Sequence, residues 1–221
     1  MFFQDVVRSR YSARNFRPDP VPEKILLGIL ETAQRTPSWC NTQPWQLVIT
    51  RGIGTERFRE AMYAHARSGA RPNPDFPFPP QYLGVYRERR KVCGVQLYQA
   101  LGIGRDDRAA AAEQSLENYR LFGAPHVAIL TTDELLGAYG MLDCGLYVQT
   151  FVLAARDAGV DSIAQAALAA YPEFVREFFG LPFDRKVVCG ISFGYARQDH
   201  PIHGYRTERA DLSEVVRFVD S

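Results

Sequence analysis

At 221 residues, with 46% hydrophobic content and a formal net charge of +1, the chain can bury a large core and carries no charge excess that would recruit nucleic acid or an anionic membrane. The cysteines Cys40, Cys93, Cys144 and Cys189 are scattered, with no pair at zinc-site or redox-motif spacing, which predicts reduced thiols, a cytoplasmic setting and no metal. The start, Met1-Phe2-Phe3-Gln4-Asp5, lacks the pattern of a signal peptide, and the most apolar run, residues 139–155, is broken by Asp143 and Gln149 and falls short of a membrane span.

In chain order, residues 2–10 predict a short helix with Phe2, Val6 and Val7 on its inner face, leading into a basic cluster of Arg8, Arg10 and Arg14. Pro18-Asp19-Pro20-Val21-Pro22 is a stiff connector. Pro22 and Glu23 then open a helix to about residue 35, with Ile25, Leu26, Ile29, Leu30 and Ala33 at helical spacing. Next comes the loop Pro37-Ser38-Trp39-Cys40-Asn41-Thr42-Gln43-Pro44-Trp45. Its prolines stiffen the path, and Ser38, Asn41, Thr42 and Gln43 offer donors and acceptors beside two flat indoles. Such a lining suits a planar, hydrogen-bonding heterocycle; it equally suits a capped helix-to-strand turn with packed aromatics. Residues 45–50 predict a strand and residues 55–68 a helix.

Five prolines within residues 69–82 forbid a long regular element and predict an irregular excursion or lid. Residues 84–101 predict a helix whose run Arg87-Glu88-Arg89-Arg90-Lys91 reads as a solvated face. A helix over 106–121, a buried strand over 126–131 and a helix over 135–157 follow. That last helix is apolar on nearly every side and needs cover all round, as a helix shared with a partner subunit would have. A short strand near 159–165, a helix over 172–179 and a strand over 187–195 complete the core. The tail is polar, then ends in an apolar patch, Leu212, Val215, Val216 and Phe218, too small to pack on itself. Strands separated by helices with apolar faces predict one α+β domain over residues 1–221, of the three-layer α/β sandwich type.

Among motifs, Arg10-Tyr11-Ser12-Ala13-Arg14 places two guanidiniums and a hydroxyl near one helix end. Arg grips phosphate oxygens through a planar fork, so the segment suits a monophosphate ester held without a metal; a surface cluster paired with acids is the bland alternative. Arg206 and Arg209 form a second cluster that can converge on the same anion. Gly102-Ile103-Gly104 follows a helix and has Asp107 where the third glycine of a dinucleotide fingerprint belongs, which argues against a Rossmann site. Gly190-Ile191-Ser192-Phe193-Gly194 spells a nucleophile elbow but lies inside a strand pattern. His200 and His203 have no helical glutamate partner, and Pro201 separates them.

Taken in order, Arg10-Tyr11-Ser12-Ala13-Arg14-Asn15-Phe16, the proline connector, the loop over 37–45, the segment 159–168, Gly194-Tyr195 and the tail 200–209 resemble the FMN-dependent nitroreductase family. Pro79-Pro80-Gln81-Tyr82 and Phe122-Gly123-Ala124-Pro125 resemble its nitrobenzoate-reductase branch. The resemblance implies an intertwined homodimer with a mixed, mostly antiparallel sheet wrapped by helices, and one FMN in each of two interface sites. It implies that residues 196–221 extend onto the partner subunit. Arg10, Tyr11, Ser12 and Arg14 would hold the phosphate and ribityl chain, with Arg206 and Arg209 closing from the tail. Tyr11 stands where the family commonly has Arg or His, so one polar contact is either lost there or replaced by stacking; His203 stands where this branch often has Asn. Pro37, Ser38, Trp39, Asn41 and Gln43 would reach the other subunit's flavin, and the backbone of Ala164, Gln165 and Ala166 would lie along the ring. NADH or NADPH would give the hydride and a nitroaromatic or quinone would take the electrons, with no side chain acting as acid or nucleophile. The alternatives are another reaction of the same flavin fold, such as enone or thiazoline dehydrogenation or reductive dehalogenation, and a non-enzymatic flavin-binding protein.

Overall fold

The computed structural model describes residues 2–219. Four strands, β1 (Gln46–Ile49), β2 (His126–Asp133), β3 (Asp161–Gln165) and β4 (Arg185–Gly194), form one sheet in the order β1-β2-β4-β3. All three strand pairs are antiparallel, and the parallel component of the expected mixed sheet is a single bridge between Ser12 and Ser162. Alternation along β2 explains why it is buried from His126 to Thr132. Val127 and Ile129 enter the core on one face, and Ala128 and Leu130 enter the core on the other. A bulge between Leu130 and Thr131 slips the register by one residue, so Val187 of β4 serves the first core while Ile191 and Phe193 serve the second. Gly190 lies under Leu168, where a methyl group would overlap the leucine side chain.

Helices α2 (Glu23–Ala33) and α6 (Gly137–Asp157) cover one face of the sheet; α3 (Ile53–Arg67) and α7 (Pro172–Phe179) contribute to the other. The three-layer expectation holds. Helix α6 buries Gly140, Asp143, Cys144, Tyr147, Phe151, Val152 and Ala155 on one stripe. Tyr139, Leu142 and Leu146 recur at helical spacing on the opposite stripe and are exposed, so the predicted all-round apolar helix is covered on only one side by its own chain. Helix α1 (Phe3–Ser9) packs on α6 and corrects one expectation: Val6 is buried, whereas Phe2, just before the helix, and Val7 are exposed. Helices α4 (Gly84–Ala100) and α5 (Arg108–Leu116) bury no residue fully. The second is shorter than the predicted 106–121. Asp107 caps its start through the Ala110 N–H, and Leu121 and Phe122 adopt left-handed φ of 58° and 53°, which no α-helix tolerates. Trp45 lies just before β1, buried, with its Nε1–H donating to Gln34 Oε1 at 3.1 Å.

His126 ties the proline connector to the sheet. Its Nε2 accepts the Val21 N–H at 3.0 Å, which leaves the proton on Nδ1 to be donated to the Thr50 carbonyl at 3.1 Å. Burial, and then Arg51, push this histidine below its ordinary 6.5. A group held neutral in the fold takes up a proton on unfolding, so its contribution is complete above pH 6.5 and is lost as the pH falls through the lowered value. Urea midpoints are expected to be flat above pH 6.5 and to decline below it, each such histidine adding a slope of up to about 1.4 kcal/mol per pH unit. The His126→Gln chain should lose that share of the decline.

Candidate functional site

After α1 the chain runs extended beside the edge strand β3, with the Ala13 N–H donating to Ser162 O at 3.1 Å. Further on, Phe16 N–H bonds Phe122 O, Arg17 N–H bonds Tyr195 O and Arg197 N–H bonds Asn15 O. An extended segment turns alternate residues the same way, so Ala13 goes to the core while Arg10, Ser12 and Arg14 point out together. The tail then crosses over them through a short 3-10 turn, Pro201–His203.

The result is a cavity of about 610 Å³ into which Arg10, Ser12, Arg14, Arg206 and Arg209 all project. Arg8 joins them, and among the described residues no aspartate or glutamate lines the cavity. The guanidiniums bond backbone carbonyls instead: Arg14 donates to Ser12 O, Arg206 to the carbonyls of His203 and Tyr205, and Arg209 to those of Thr207 and Glu208. Burial, and then the facing Arg209, lower the Arg10 pKa from its ordinary value. Such unrelieved positive charge makes a receptor for an anion, and a phosphate monoester, with roughly −1.5 to −2 charge at neutral pH, suits it.

Tyr11 forms part of the wall. Its ring carries the Arg206 guanidinium at 4.1 Å on centroid, with Arg156 at 5.9 Å, and His203 meets it edge-on at 5.4 Å. Its hydroxyl accepts from Gln198 Nε2 at 3.1 Å, and Gln198 in turn donates to Asp161. The Tyr11 ring thus serves as a platform for an arginine, while its hydroxyl keeps a polar contact to Gln198. His203 bonds the Arg14 backbone, and Cys93 of α4 and Tyr205 also line the cavity. Of these extra residues, Arg8 is signalled in the sequence by the first basic cluster and His203 and Tyr205 by the tail 200–209, whereas Cys93 carries no such signal.

The loop over residues 37–45 lies elsewhere. Pro37, Asn41 and Gln43 line a second cleft of about 780 Å³ with Gln34, Arg35 and Tyr147, and the two cavities share no residue. Three of its non-glycine residues, Cys40, Asn41 and Gln43, have positive φ, a strained path held by its own hydrogen bonds. Ser38 Oγ accepts the Gln43 N–H at 2.9 Å, and the Gln43 amide spans the Asn41 carbonyl and Gln34. The buried carboxylate of Asp143 on α6 accepts the Trp39 N–H at 3.1 Å, and the Trp39 ring meets Tyr139. The polar groups of Ser38 and Gln43 are therefore engaged in shaping the loop, whereas Asn41 and Trp39 are exposed.

Ala164, Gln165 and Ala166 line neither cavity. The Gln165 side chain points inward, donating to Asn118 and accepting from Ser192 Oγ, so that segment has only its backbone and two exposed alanines to offer. Ser192, fully buried in mid-strand, is no nucleophile elbow. Among the described residues no cluster of histidine, cysteine or carboxylate side chains could hold a metal, and no helix is long and apolar enough to cross a membrane.

The family profile described as "Nitroreductase family" matches residues 7–195. The chain belongs to the nitroreductase family. Among this nitroreductase's curated relatives, nitroreductase NfnB of Mycolicibacterium smegmatis is 40% identical over 215 residues, covering 96% of this chain and 91% of the relative. A 4-nitrobenzoate reductase of Pseudomonas putida is 33% identical over 217 residues, covering 98% and 95%. Among solved structures, the FMN-dependent nitroreductase NfnB from Mycobacterium smegmatis in complex with NADPH superposes with a TM-score of 0.93 at 39% identity, covering 98% of this chain and 97% of that one. The FMN and NADPH-dependent NfnB from sphigopyxis sp. strain HMH superposes at 0.96 with 31% identity and full coverage of both chains.

Proposed function

We propose that this nitroreductase-family chain is an FMN-dependent oxidoreductase that uses NADPH or NADH to reduce nitroaromatic or quinone acceptors. The observation that carries the reading is the cavity lined by Arg10, Arg14, Arg206 and Arg209, with no acidic side chain among the described residues that line it. Those guanidiniums hold the phosphate, Ser12 adds a donor, and Tyr11 fixes Arg206 in place. The bridge at Ser162 ties the basic segment to β3, so Ala164 to Ala166 lie two to four residues further along, roughly 7–13 Å at strand rise, which suits a ring attached to the held phosphate. The chemistry that FMN supplies when bound is hydride acceptance from the nicotinamide and electron delivery to the acceptor, the first product leaving before the second substrate enters. The protein orients the ring and shapes a pocket for flat acceptors; it contributes no nucleophile.

A homodimer belongs to the same proposal. The phosphate cavity and the loop cleft are separate within one chain, so Pro37, Ser38, Trp39, Asn41 and Gln43 are assigned to the partner's flavin, with Asn41 and Trp39 making the contacts. The exposed stripe Tyr139, Leu142 and Leu146 and the exposed tail residues Leu212, Val215 and Phe218 are apolar surface that such a partner covers. Of the expected extension over 196–221, residues 196–206 pack on their own chain, where Ala196, Ile202 and His203 are buried and Arg197 and His203 bond the backbone of Asn15 and Arg14, so only residues 207–219 are assigned to the partner. The excursion over 69–82 is anchored at Asn73 and Asp75, which leaves residues 76–82 to cover the pocket. The four free cysteines suit a reducing cytoplasm.

Purified protein incubated with FMN should turn yellow and oxidise NADPH or NADH with 4-nitrobenzoate or benzoquinone, giving parallel double-reciprocal lines. A colourless protein with no flavin absorbance overturns the reading. Sedimentation at micromolar concentration should give twice the 25.0 kDa chain mass; a monomer that still binds FMN would remove the shared site.

A further inference from the structure

We propose that His203 is a positioning residue for the anion grip: its imidazole clips the tail to the backbone of Arg14 and so sets where the guanidiniums of Arg14 and Arg206 stand. The inference rests on the flavin reading above. The clip spans 189 residues of chain. The Arg14 N–H has to donate to His203 Nε2, at 3.0 Å, which leaves the ring proton on Nδ1, where it is donated to the Arg197 carbonyl at 2.9 Å. The ring is buried, and its edge meets Tyr11. Three residues on, Arg206 returns a hydrogen bond to the His203 carbonyl at 2.7 Å and lies over the same Tyr11 ring. One residue thus joins both basic clusters, its imidazole bonding Arg14 and its carbonyl accepting from Arg206.

The clip works only while the imidazole is neutral. An imidazolium carries a proton on both nitrogens, so Nε2–H would confront the Arg14 N–H and the bond would be lost. The charged and titratable groups around it are Arg14 and Tyr11 from the first segment, Arg197, His200, Tyr205 and Arg206 from the tail, Arg156 of α6 beyond Tyr11, Asp161 of β3, Cys93 of α4, and Glu113 of α5 with Glu117 just after it, which line a neighbouring cavity with Arg14 and His200. Of the acids, Asp161 is the one that acts on the imidazole, and it is already engaged by Arg156 at 2.9 Å, by the Ala196 N–H and by Gln198; Glu117 is engaged by Arg120. Burial first, then His200 and Arg206, lower the pKa of His203, outweighing the Arg197 carbonyl and Asp161. The clip is therefore closed at neutral pH and opens as the pH falls below the ordinary 6.5 through the lowered value.

The test is FMN affinity of the full chain, read by flavin fluorescence between pH 5 and pH 8, for wild type, His203→Gln and His203→Phe. The phosphate of FMN itself titrates near pH 6 and weakens binding in all three. Glutamine offers an acceptor that does not titrate. His203→Gln should bind within about threefold of wild type at pH 8, and wild type should lose on the order of tenfold more affinity than the variant by pH 5, the scale of one hydrogen bond. His203→Phe, which keeps an aromatic ring beside Tyr11 without the acceptor, should bind FMN on the order of tenfold more weakly at pH 8 and leave riboflavin affinity unchanged. Nitrogen-15 spectra of the wild-type histidines, which need no variant to fold, should show an unprotonated Nε2 for His203 at pH 8. Superimposable pH curves for wild type and His203→Gln, or a protonated Nε2, overturn the clip alone. A wild-type chain that binds no FMN at any pH overturns the flavin reading and the clip with it.

Discussion

Asp75→Ala is expected to cost the fold about 3–5 kcal/mol, because it leaves a buried guanidinium without its counter-ion. Asp75 and Arg176 are each about 8% exposed, and the carboxylate oxygen accepts from Arg176 Nη1 at 2.6 Å and from the Val187 N–H at 2.8 Å. Arg176 also donates to the Arg185 carbonyl. The pair joins the proline-rich excursion, α7 and the start of β4, so its loss should free residues 69–82 as well as lower stability. For a chain of this size the melting temperature should fall by roughly 6–20 °C. The informative comparison is the double variant Asp75→Ala/Arg176→Met, which removes both charges and should recover most of the loss. Equal urea midpoints for the single and double variants would show that the unpaired charge is not the source of the cost.

Arg10→Ala should weaken FMN binding by about 1.5–3 kcal/mol, or roughly ten- to a hundredfold, while riboflavin binding changes little. Arg10 is half-buried and faces Arg209, whose like charge it has to tolerate until an anion arrives. Replacing Arg10 therefore does two things: it removes a charged donor and relieves a repulsion, so the variant should be no less stable than wild type without FMN. Added salt should weaken FMN binding less in the variant, since one fewer guanidinium is screened. Parallel losses for FMN and riboflavin would mean that Arg10 shapes the cavity and does not hold the phosphate.

Much of the architecture was readable from local pattern. The helical spacing of Ile25, Leu26, Ile29 and Leu30, the prolines of residues 69–82 and the apolar run of β4 depend on neighbours a few residues away, and each matches the structure to within a few residues. Where local pattern erred, a tertiary constraint prevailed: the left-handed Leu121 and Phe122 end the turns after α5, and of the three apolar residues expected on the inner face of the first helix only Val6 is covered, Phe2 and Val7 being exposed.

The site divides the same way. The closeness of Arg10, Ser12 and Arg14 in the chain is a local fact, and it predicted two guanidiniums and a hydroxyl near one helix end; that the segment is extended and turns them the same way is a tertiary finding. That Arg206 and Arg209 meet that cluster, that Tyr11 carries Arg206, and that His203 bonds Arg14 depend on contacts across most of the chain, which spacing does not encode. The same holds for residues 37–45, where the side chains suggested a ligand lining but the folded loop commits Ser38 and Gln43 to its own strained turn. The sequence by itself determined the residue types and their local periodicity, and through them the elements and the family. Only the tertiary structure decided which distant charges converge, because bringing them together means closing long loops whose entropy is repaid by packing elsewhere in the core.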